Sequence, residues 1–172
     1  MLILNWWIIA LLGVFAGIFS IFFLWPFLFG APFEPTRDKK VKKMIKLAGI
    51  KKGDKAVDLG SGDGRIVIAL AKAGAEAHGY EINPLLILLS RWKIKKAGLK
   101  GKAFIHWKNF WEVNFKKYDI IMLFQFHTIM NKLKKKLKKE LKSKSRIVSY
   151  YWKFPDWKPS KKIENIYLYK VK

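Results

Sequence analysis

The residues best suited to chemistry lie in one short stretch, Asp58–Arg65, which reads D-L-G-S-G-D-G-R. An apolar strand pattern leads into it and an alanine-rich helix pattern follows, so the three glycines form a turn that opens a helix. Glycine has no Cβ and tolerates positive φ, which lets backbone N–H groups in such a turn approach a ligand closely. The spacing is G-x-G-x-G, with Arg65 where a dinucleotide fingerprint places its third glycine. The chain contains no G-x-x-x-x-G-K-[ST] motif, which excludes a P-loop.

A second carboxylate, Glu81, follows Asp58 by 23 residues and ends the next predicted strand. A carboxylate in that position accepts hydrogen bonds from ribose hydroxyls in nucleotide-binding α/β proteins. The glycines alone could form an ordinary solvent-exposed turn, but the glutamate in register favours a binding site. The glycine turn and Glu81 together resemble the cofactor site of class I S-adenosylmethionine-dependent methyltransferases.

This resemblance implies roles for individual residues. The glycine turn would hold the methionine end of the cofactor, with Asp58 and Asp63 near its ammonium group, and Glu81 would take the ribose hydroxyls. Adenine would lie between the side chains that follow the second and third strands. The residues expected to bind S-adenosylmethionine are Asp58, Gly60, Ser61, Gly62, Asp63, Gly64, Glu81, Ile82, Asn109 and Phe110.

The amino-acid composition limits the kinds of metal, nucleic-acid and lipid partners that the protein can be expected to bind. The chain has 172 residues, enough for one modest domain and an appendage, and it has no cysteine, which excludes disulfides and thiolate metal sites. Its three histidines lie in separate patterns, so no metal is expected.

The net charge is +23, but only four of the 35 basic residues are arginine, the preferred reader of phosphates and bases. A lysine-biased proteome explains this better than a nucleic-acid site, although attraction to anionic lipid surfaces remains.

Residues 2–30 contain no charged side chain. A helix from Trp6 to Phe29 would extend about 36 Å, enough to cross the hydrocarbon core of a bilayer. The rival interpretations are a signal peptide, which needs a basic start and a shorter apolar core, and a buried helix, which needs fewer apolar residues. We therefore expect a transmembrane anchor over residues 1–30 that contacts the bilayer through residues 2–29.

A linker with two prolines, residues 31–36, follows the anchor, and Thr36 is the expected N-cap of the next helix. The basic residues that come next predict, by the positive-inside rule, a single-pass protein whose remaining domain, 37–172, lies on the cytoplasmic side. That domain alternates strand and helix patterns and ends in a hairpin, which predicts a Rossmann-like, doubly wound α/β sheet of seven strands.

The predicted elements of this domain can be given by residue. Helices are expected at 37–48, 65–73, 85–97 and 131–142, and strands at 55–59, 75–81, 102–107, 118–124 and 145–152, with a hairpin near 161–164 and 166–171. The lysine-rich helix at 131–142 could lie on a membrane surface, but its single leucine face favours a helix that covers the sheet and exposes a basic side.

Further motifs narrow the resemblance. P-F-E-P-T at 32–36, the glycine turn, G-Y-E-I-N-P at 79–84 and D-W-K-P at 156–159 occur in one order and spacing. Together they resemble the small membrane-anchored protein-lysine methyltransferases, a family that includes mitochondrial enzymes acting on the ADP/ATP carrier and on the c subunit of ATP synthase, with prokaryotic relatives. The chain departs from that family at Asn109, usually aspartate, at His127, usually proline, and in its short terminal hairpin.

The resemblance implies transfer of a methyl group to a lysine of a protein at the membrane, with aromatic walls around the acceptor. The residues expected to line the acceptor pocket are Phe33, Pro35, Thr36, Phe124, Tyr150, Trp152 and Trp157. No catalytic residue is predicted; Glu34, Asp156 and solvent are the alternatives for taking the proton of the acceptor lysine.

The competing functions are methylation of a lipid or quinone and a non-catalytic S-adenosylmethionine-binding module. RNA methylation ranks lower, because no N-P-P-[YF] motif follows the fourth strand.

Overall fold

The computed structural model describes residues 6–29 and 33–171, with side-chain surroundings for 6–20 and 33–171. The chain divides into two compact units, Met1–Glu34 and Pro35–Lys172. The first unit contains helix α1, Trp6–Phe29. Residues 1–5 and 30–32, which belong to the predicted anchor and linker, lie outside the described residues. Within the described ranges, no helix has both the length and the hydropathy needed to cross a bilayer, so the structure does not support the predicted transmembrane helix.

The second unit is a seven-stranded sheet with helices on both faces, as predicted. The strands are β1 Lys55–Leu59, β2 Glu76–Glu81, β3 Ala103–Trp107, β4 Ile120–Leu123, β5 Arg146–Tyr150, β6 Lys161–Ile163 and β7 Ile166–Lys170. The helices are α2 Asp38–Ala48, α3 Arg65–Lys72, α4 Pro84–Lys96 and α5 His127–Glu140, with a 3₁₀ turn at Phe110–Glu112.

The strand order is β3-β2-β1-β4-β5-β7-β6. The first five strands in this order are parallel, and β7 runs antiparallel to both β5 and β6. The chain reverses its direction of winding between β1 and β4, and ligands of open α/β sheets bind beyond the carboxyl ends of the strands at such a switch point. The topology therefore places Asp58, near the end of β1, beside the expected binding crevice.

Side chains alternate between the two faces of the sheet and form two cores. Ala56 of β1 packs in the core under α2, α3 and α4, whereas Val57 and Leu59 pack in the core under α5. This alternation is the two-residue period of a strand buried on both sides. Among the described elements, α2, α3 and α4 cover the face of the sheet that contains Ala56, and α5 and the 3₁₀ turn cover the opposite face.

Two helix starts differ from prediction. Thr36 does not cap α2: the N-cap is Arg37, which makes no side-chain capping bond, and Thr36 is buried with its carbonyl accepting from Arg65 Nη1 at 3.0 Å. Helix α5 begins at His127 instead of Asn131, because Met130 is buried in the second core and extends the packed face by a turn. The predicted start of α4 is confirmed, since Asn83 Oδ1 accepts from the Leu85 and Leu86 amides and Pro84 occupies the first turn.

Candidate functional site

The glycine turn is held against the end of β2 by backbone hydrogen bonds. The amides of Gly60 and Ser61 both donate to the Tyr80 carbonyl at 3.0 Å. Gly79, opposite them on β2, has room for no side chain: a Cβ there would lie 2.5 Å from Ser61 Oγ and 2.8 Å from Val67 Cγ2. The turn therefore lies directly on the β2 backbone, which brings it beside Glu81.

Glu81 accepts three backbone hydrogen bonds. Oε2 accepts from the Gly62 amide at 2.9 Å, and Oε1 accepts from the Ile82 and Asn83 amides at 2.8 and 2.9 Å. These contacts fix the carboxylate between the glycine turn and the start of α4. The structure thus brings together the two parts of the predicted cofactor site, Gly60–Gly64 and Glu81.

Asp58 is a buried carboxylate without a paired cation among the described residues. It is 3% exposed at the end of β1. Burial, together with the nearby charges of Glu81 and Asp63, raises the pKa of Asp58 well above its ordinary value. A buried carboxylate is costly unless a cation or hydrogen-bond donors meet it, and the ammonium group of a methionine moiety has that chemistry.

Asp63 has a different environment from the one expected. Its carboxylate accepts from Arg65 Nε and Nη2 at 2.9 and 2.8 Å and from Lys93 Nζ at 2.6 Å. Burial alone would raise the pKa of Asp63, but these two cations outweigh it and lower the pKa to about 2. Asp63 therefore ties the glycine turn to α4, and of the two aspartates only Asp58 lacks a protein cation among the described residues.

The turn also contains a buried hydroxyl without a partner. Ser61 Oγ is the one buried side-chain polar atom in the described part of the chain that has no hydrogen-bond partner. Buried polar atoms are rarely left so, and each one calls for an explanation. An orphaned hydroxyl, an uncompensated carboxylate and a turn closed against β2 are a donor and acceptor set that fits S-adenosylmethionine.

The residues expected to flank adenine lie at the ends of β2 and β3. Ile82 is half-buried, and its carbonyl accepts from Trp107 Nε1 at 3.2 Å. Asn109 is exposed, and its Oδ1 accepts from the Trp111 amide at 3.1 Å, so it caps the 3₁₀ turn. The Phe110 ring packs 5.0 Å from Trp111. Trp107, which sequence reasoning missed, is exposed beside Ile82, and its position at the end of β3 was the available signal.

On the other side of the switch point, aromatic side chains meet at the ends of β4 and β5. The Phe124 and Tyr150 rings are 4.8 Å apart, Tyr150 meets Tyr151 at 6.3 Å, and Trp152 lies 5.1 Å from Tyr151 and 4.9 Å from His127. We call these five residues the aromatic group. It contains three of the predicted acceptor residues, together with His127, which the sequence places after the fourth strand, and Tyr151, which was not predicted.

Tyr151 is held in an unusual conformation. Its φ is +73°, and its amide donates to the Asn165 carbonyl at 2.7 Å while Ser149 Oγ donates to the Trp152 carbonyl at 2.6 Å. A left-handed tyrosine costs free energy, and such residues cluster at functional sites. This left-handed conformation could not be predicted from the sequence, because a tyrosine, unlike a glycine, gives no signal of positive φ.

Gln125, at the end of β4, contacts the glycine turn. Its Nε2 donates to the Leu59 carbonyl at 2.7 Å, and a Cβ on Gly60 would lie 2.9 Å from the same nitrogen. The side-chain amide therefore lies against the glycine turn, and in the chain Gln125 directly follows Phe124 of the aromatic group. Among the described residues, its Oε1 atom makes no hydrogen bond.

The other predicted acceptor residues of the second unit make no hydrogen bond or ring contact with the aromatic group among the described residues. The Trp157 ring lies 5.4 Å from Phe154 and 5.3 Å from Tyr169 and is partly buried against the second core, with Lys138 Nζ 4.9 Å above it. Among the described residues, no ring contact joins Trp157 to the aromatic group. Pro35 is exposed and Thr36 is buried, and Phe33 is an exposed residue of the first compact unit.

Comparison with known proteins agrees with this geometry. A solved RNA methyltransferase from Salinibacter ruber, in complex with S-adenosyl-L-homocysteine, is 29% identical, with a TM-score of 0.77 over 80% of this chain and 94% of that one. The protein-lysine N-methyltransferase of Saccharolobus islandicus is 36% identical over 150 residues, or 81% of this chain and 93% of the relative. The fold and the site together define an S-adenosylmethionine-dependent methyltransferase domain.

The family can be stated more narrowly. Residues 58–161 match the ANTKMT methyltransferase domain, and the chain belongs to that family. The rat lysine N-methyltransferase named for the c-subunit of ATP synthase is 38% identical over 128 residues, which are 74% of this chain and 59% of the relative. The chain therefore spans little more than half the length of that relative.

Proposed function

We propose that this protein transfers a methyl group from S-adenosylmethionine to the side-chain nitrogen of a lysine in a protein. The aromatic group, lying beside the cofactor site at the switch point, is the observation that carries the proposal. Support also comes from the Saccharolobus relative, named a protein-lysine N-methyltransferase, which this chain covers at 93% of its length.

S-adenosylmethionine would supply a methyl group on a sulfonium: the acceptor nitrogen would bond to the methyl carbon as the C–S bond breaks in line, with S-adenosylhomocysteine as the leaving group. The chain's own task is then to place the acceptor and exclude water. The glycine turn and Asp58 would hold the methionine end, while Glu81, fixed by three amides, would meet the ribose. Ile82 and Trp107 would border the adenine, since they form the apolar surface next to Glu81.

The aromatic group suits a lysine better than a neutral acceptor. Ring faces pack against the aliphatic stem and attract a methylated ammonium product. Removal of water lowers the pKa of a lysine, which favours the neutral amine that attacks the methyl group. Gln125 Oε1 can accept a hydrogen bond from that nitrogen and orient it. The aromatic group contains no carboxylate, so we assign the departing proton to solvent.

We further propose that the protein works at a membrane. The run of uncharged residues 2–30 and the exposed apolar side chains along Trp6–Ile18 support attachment there. The basic residues after position 36 support a methyltransferase domain on the cytoplasmic side. A substrate in the same membrane would be met at a raised effective concentration. Resistance of the full chain to alkaline carbonate extraction is the result expected for attachment through residues 2–30, and release into the wash would refute insertion of that segment.

The methyl acceptor is identified by labelling membranes and soluble extract from the source organism with radioactive S-adenosylmethionine and the purified protein. Label in a discrete protein band, recovered by mass spectrometry on lysine and absent with Glu81→Ala, is the expected result. Label that extracts into organic solvent would replace lysine by a lipid or quinone. Label sensitive to ribonuclease would point to RNA, and retained cofactor binding without any label would leave a non-catalytic module.

A further inference from the structure

Helix α4 is apolar on two opposite sides. Its inner side, with Ile87, Ser90 and Ile94, is buried against the sheet. The outer side contains four large apolar residues that we call the α4 stripe: Leu85, Leu88, Leu89 and Trp92, which are 45%, 63%, 38% and 55% exposed. The spacing i, i+3, i+4, i+7 places them in one row about 10 Å long. A surface helix ordinarily has one apolar face toward the core and polar residues on the other, so the α4 stripe is an apolar surface without a partner within Pro35–Lys172.

The rim of the α4 stripe is cationic. Helix α4 contains no acidic residue, and its last turn has Lys95 and Lys96 exposed, with Lys96 Nζ 5.1 Å above the Trp92 ring. Lys100 is exposed just beyond the helix. Lys93 is not counted, because it pairs with Asp63. Apolar residues with lysines at the edge and a tryptophan near the end are typical of a helix that lies in a membrane interface.

We propose that the α4 stripe is a docking surface for an anionic lipid bilayer. The apolar row would enter the boundary between headgroups and acyl chains, Trp92 would lie at headgroup level, and the lysine stems would extend to the lipid phosphates. A net charge of +23 adds long-range attraction to such a surface.

Other occupants fit the same surface less well. A second copy of the chain would bring two lysine rims and two strongly positive molecules together, which like-charge repulsion opposes. A nucleic acid would find cations but, at the three leucines, no ring on which a base could stack. An acidic protein with an apolar groove remains as the rival that the experiment must distinguish.

Helix α4 adjoins the proposed cofactor site, so docking through it would bring the bilayer close to that site. The helix begins at Pro84, just after Glu81, and the glycine turn is tied to it by Lys93 and by close packing of Gly64 against Ser90. A bilayer held against the α4 stripe would therefore lie close to the carboxyl end of β2, where Glu81 forms part of the proposed cofactor site. This second contact is independent of residues 2–29.

The test uses the absence of cysteine, which allows one environment-sensitive dye to be attached at one position. Leu88→Cys in the full chain reports on the α4 stripe, and Lys139→Cys, at an exposed lysine of α5, is the matched control. Both are measured with phosphatidylcholine vesicles and with vesicles that also contain phosphatidylglycerol. Since both variants keep residues 2–29, any attachment through that segment is common to them.

The expected result is a blue shift of the dye at position 88, and its quenching by nitroxide lipids, in the anionic vesicles alone. The dye at position 139 should remain water-like in both. Adding Lys95→Glu and Lys96→Glu to the Leu88→Cys chain should weaken this lipid-dependent signal about tenfold or more, since each basic residue near an anionic surface contributes about 1 kcal/mol. Methylation of a soluble lysine peptide should be unchanged by those two substitutions, which separates this inference from the proposed activity.

Three results would overturn the inference. A dye at position 88 that stays water-like in both vesicles, or shifts equally in both, excludes an anionic lipid surface as the partner. An equal shift at position 139 assigns the contact to the lysine-rich α5 instead. A shift that requires an added acidic protein assigns the α4 stripe to that class of partner. Circular dichroism of each variant confirms that it is folded.

Discussion

The two sides of the switch point are built in different ways. The cofactor half, at the ends of β1 and β2, consists of backbone amides, glycines and the two buried carboxylates Asp58 and Glu81. The proposed acceptor half, at the ends of β4 and β5, is the aromatic group, which contains no carboxylate, lysine or arginine. One half can bind a charged, hydrogen-bonding molecule and the other an alkyl chain that ends in nitrogen.

This difference shows which parts of the site are fixed by local sequence. The cofactor half is marked in the sequence by its glycine spacing and by a glutamate at the end of β2, although the contact between the Gly62 amide and Glu81 joins residues 19 positions apart. The aromatic group depends on the pairing of β4 with β5 and on a left-handed tyrosine held by Asn165. Substitutions should therefore affect cofactor binding in one half and acceptor binding in the other.

The largest effect is expected at Glu81. Glu81→Ala removes the acceptor of three backbone amides and the predicted partner of the ribose hydroxyls, so cofactor affinity and methyl transfer should each fall about 100-fold. Isothermal titration calorimetry and transfer of radiolabel measure the two. Glu112→Ala is the control, because the Glu112 side chain is exposed and makes no hydrogen bond or ion pair among the described residues. An equal loss in both variants would contradict the assignment.

Two tryptophans of the acceptor side should separate binding from stability. Trp157→Ala should lower the free energy of unfolding by about 2–3 kcal/mol, because its ring packs on the buried rings of Phe154 and Tyr169 at the border of the second core. Trp152→Ala should raise KM for the protein substrate about tenfold, the loss of roughly 1.4 kcal/mol of ring contact, with the Kd of the cofactor unchanged. Urea unfolding and steady-state kinetics distinguish them. The reverse pattern would place Trp157 in the acceptor site.

Gly79 tests whether the cofactor half depends on close backbone approach. Gly79→Ala should cost about 1–3 kcal/mol of stability and weaken cofactor binding, because its Cβ would overlap Ser61 and Val67. Ser61→Gly in the same chain removes the nearer overlap and should restore part of the stability. Thermal unfolding measures both variants. No rescue by Ser61→Gly would mean that the strain lies elsewhere.

The smallest effect is a pH dependence that belongs to Asp58. Its pKa is raised in the folded chain, so without cofactor the folded state binds more protons than the unfolded state above about pH 4. Stability should therefore fall as pH rises from about 4 through the folded pKa, by at most about 1.4 kcal/mol per pH unit. Asp58→Asn should remove this slope while weakening cofactor binding. Urea unfolding across that pH range measures the free energy of unfolding of both proteins. If it falls equally with pH in the unsubstituted chain and in Asp58→Asn, the pH dependence does not come from Asp58.

The sequence allowed the cofactor half to be predicted better than the acceptor half. Glycine spacing and a glutamate at the end of the next strand are local patterns, and the structure brings those residues together. The pairing of Asp63 with Arg65 and Lys93 was missed, because Lys93 approaches from α4 and no local pattern indicates it. Gln125 was likewise missed, since its role depends on the Leu59 carbonyl, 66 positions away.

The fold was predictable because each element has its own periodicity. All seven strands and the four helices of the second unit are found within a few residues of the predicted ranges. The errors lie at helix starts, where packing outweighed capping preference: Thr36 turned inward, and Met130 extended α5. The place of Trp157 in the acceptor pocket stays a prediction, since its ring packs against the second core and a core aromatic and a pocket aromatic look alike in sequence.

The placement of β7 has a consequence for how the protein is made. This strand follows β5 and β6 in the chain yet lies between them in the sheet, and its residues Ile166–Tyr169 are buried. During synthesis β5 therefore has an open edge until residues 166–170 have left the ribosome, and an open strand edge invites pairing with other chains. A ribosome that stalls before residue 166 would thus leave a nascent domain with its cofactor turn already synthesised but its sheet unclosed.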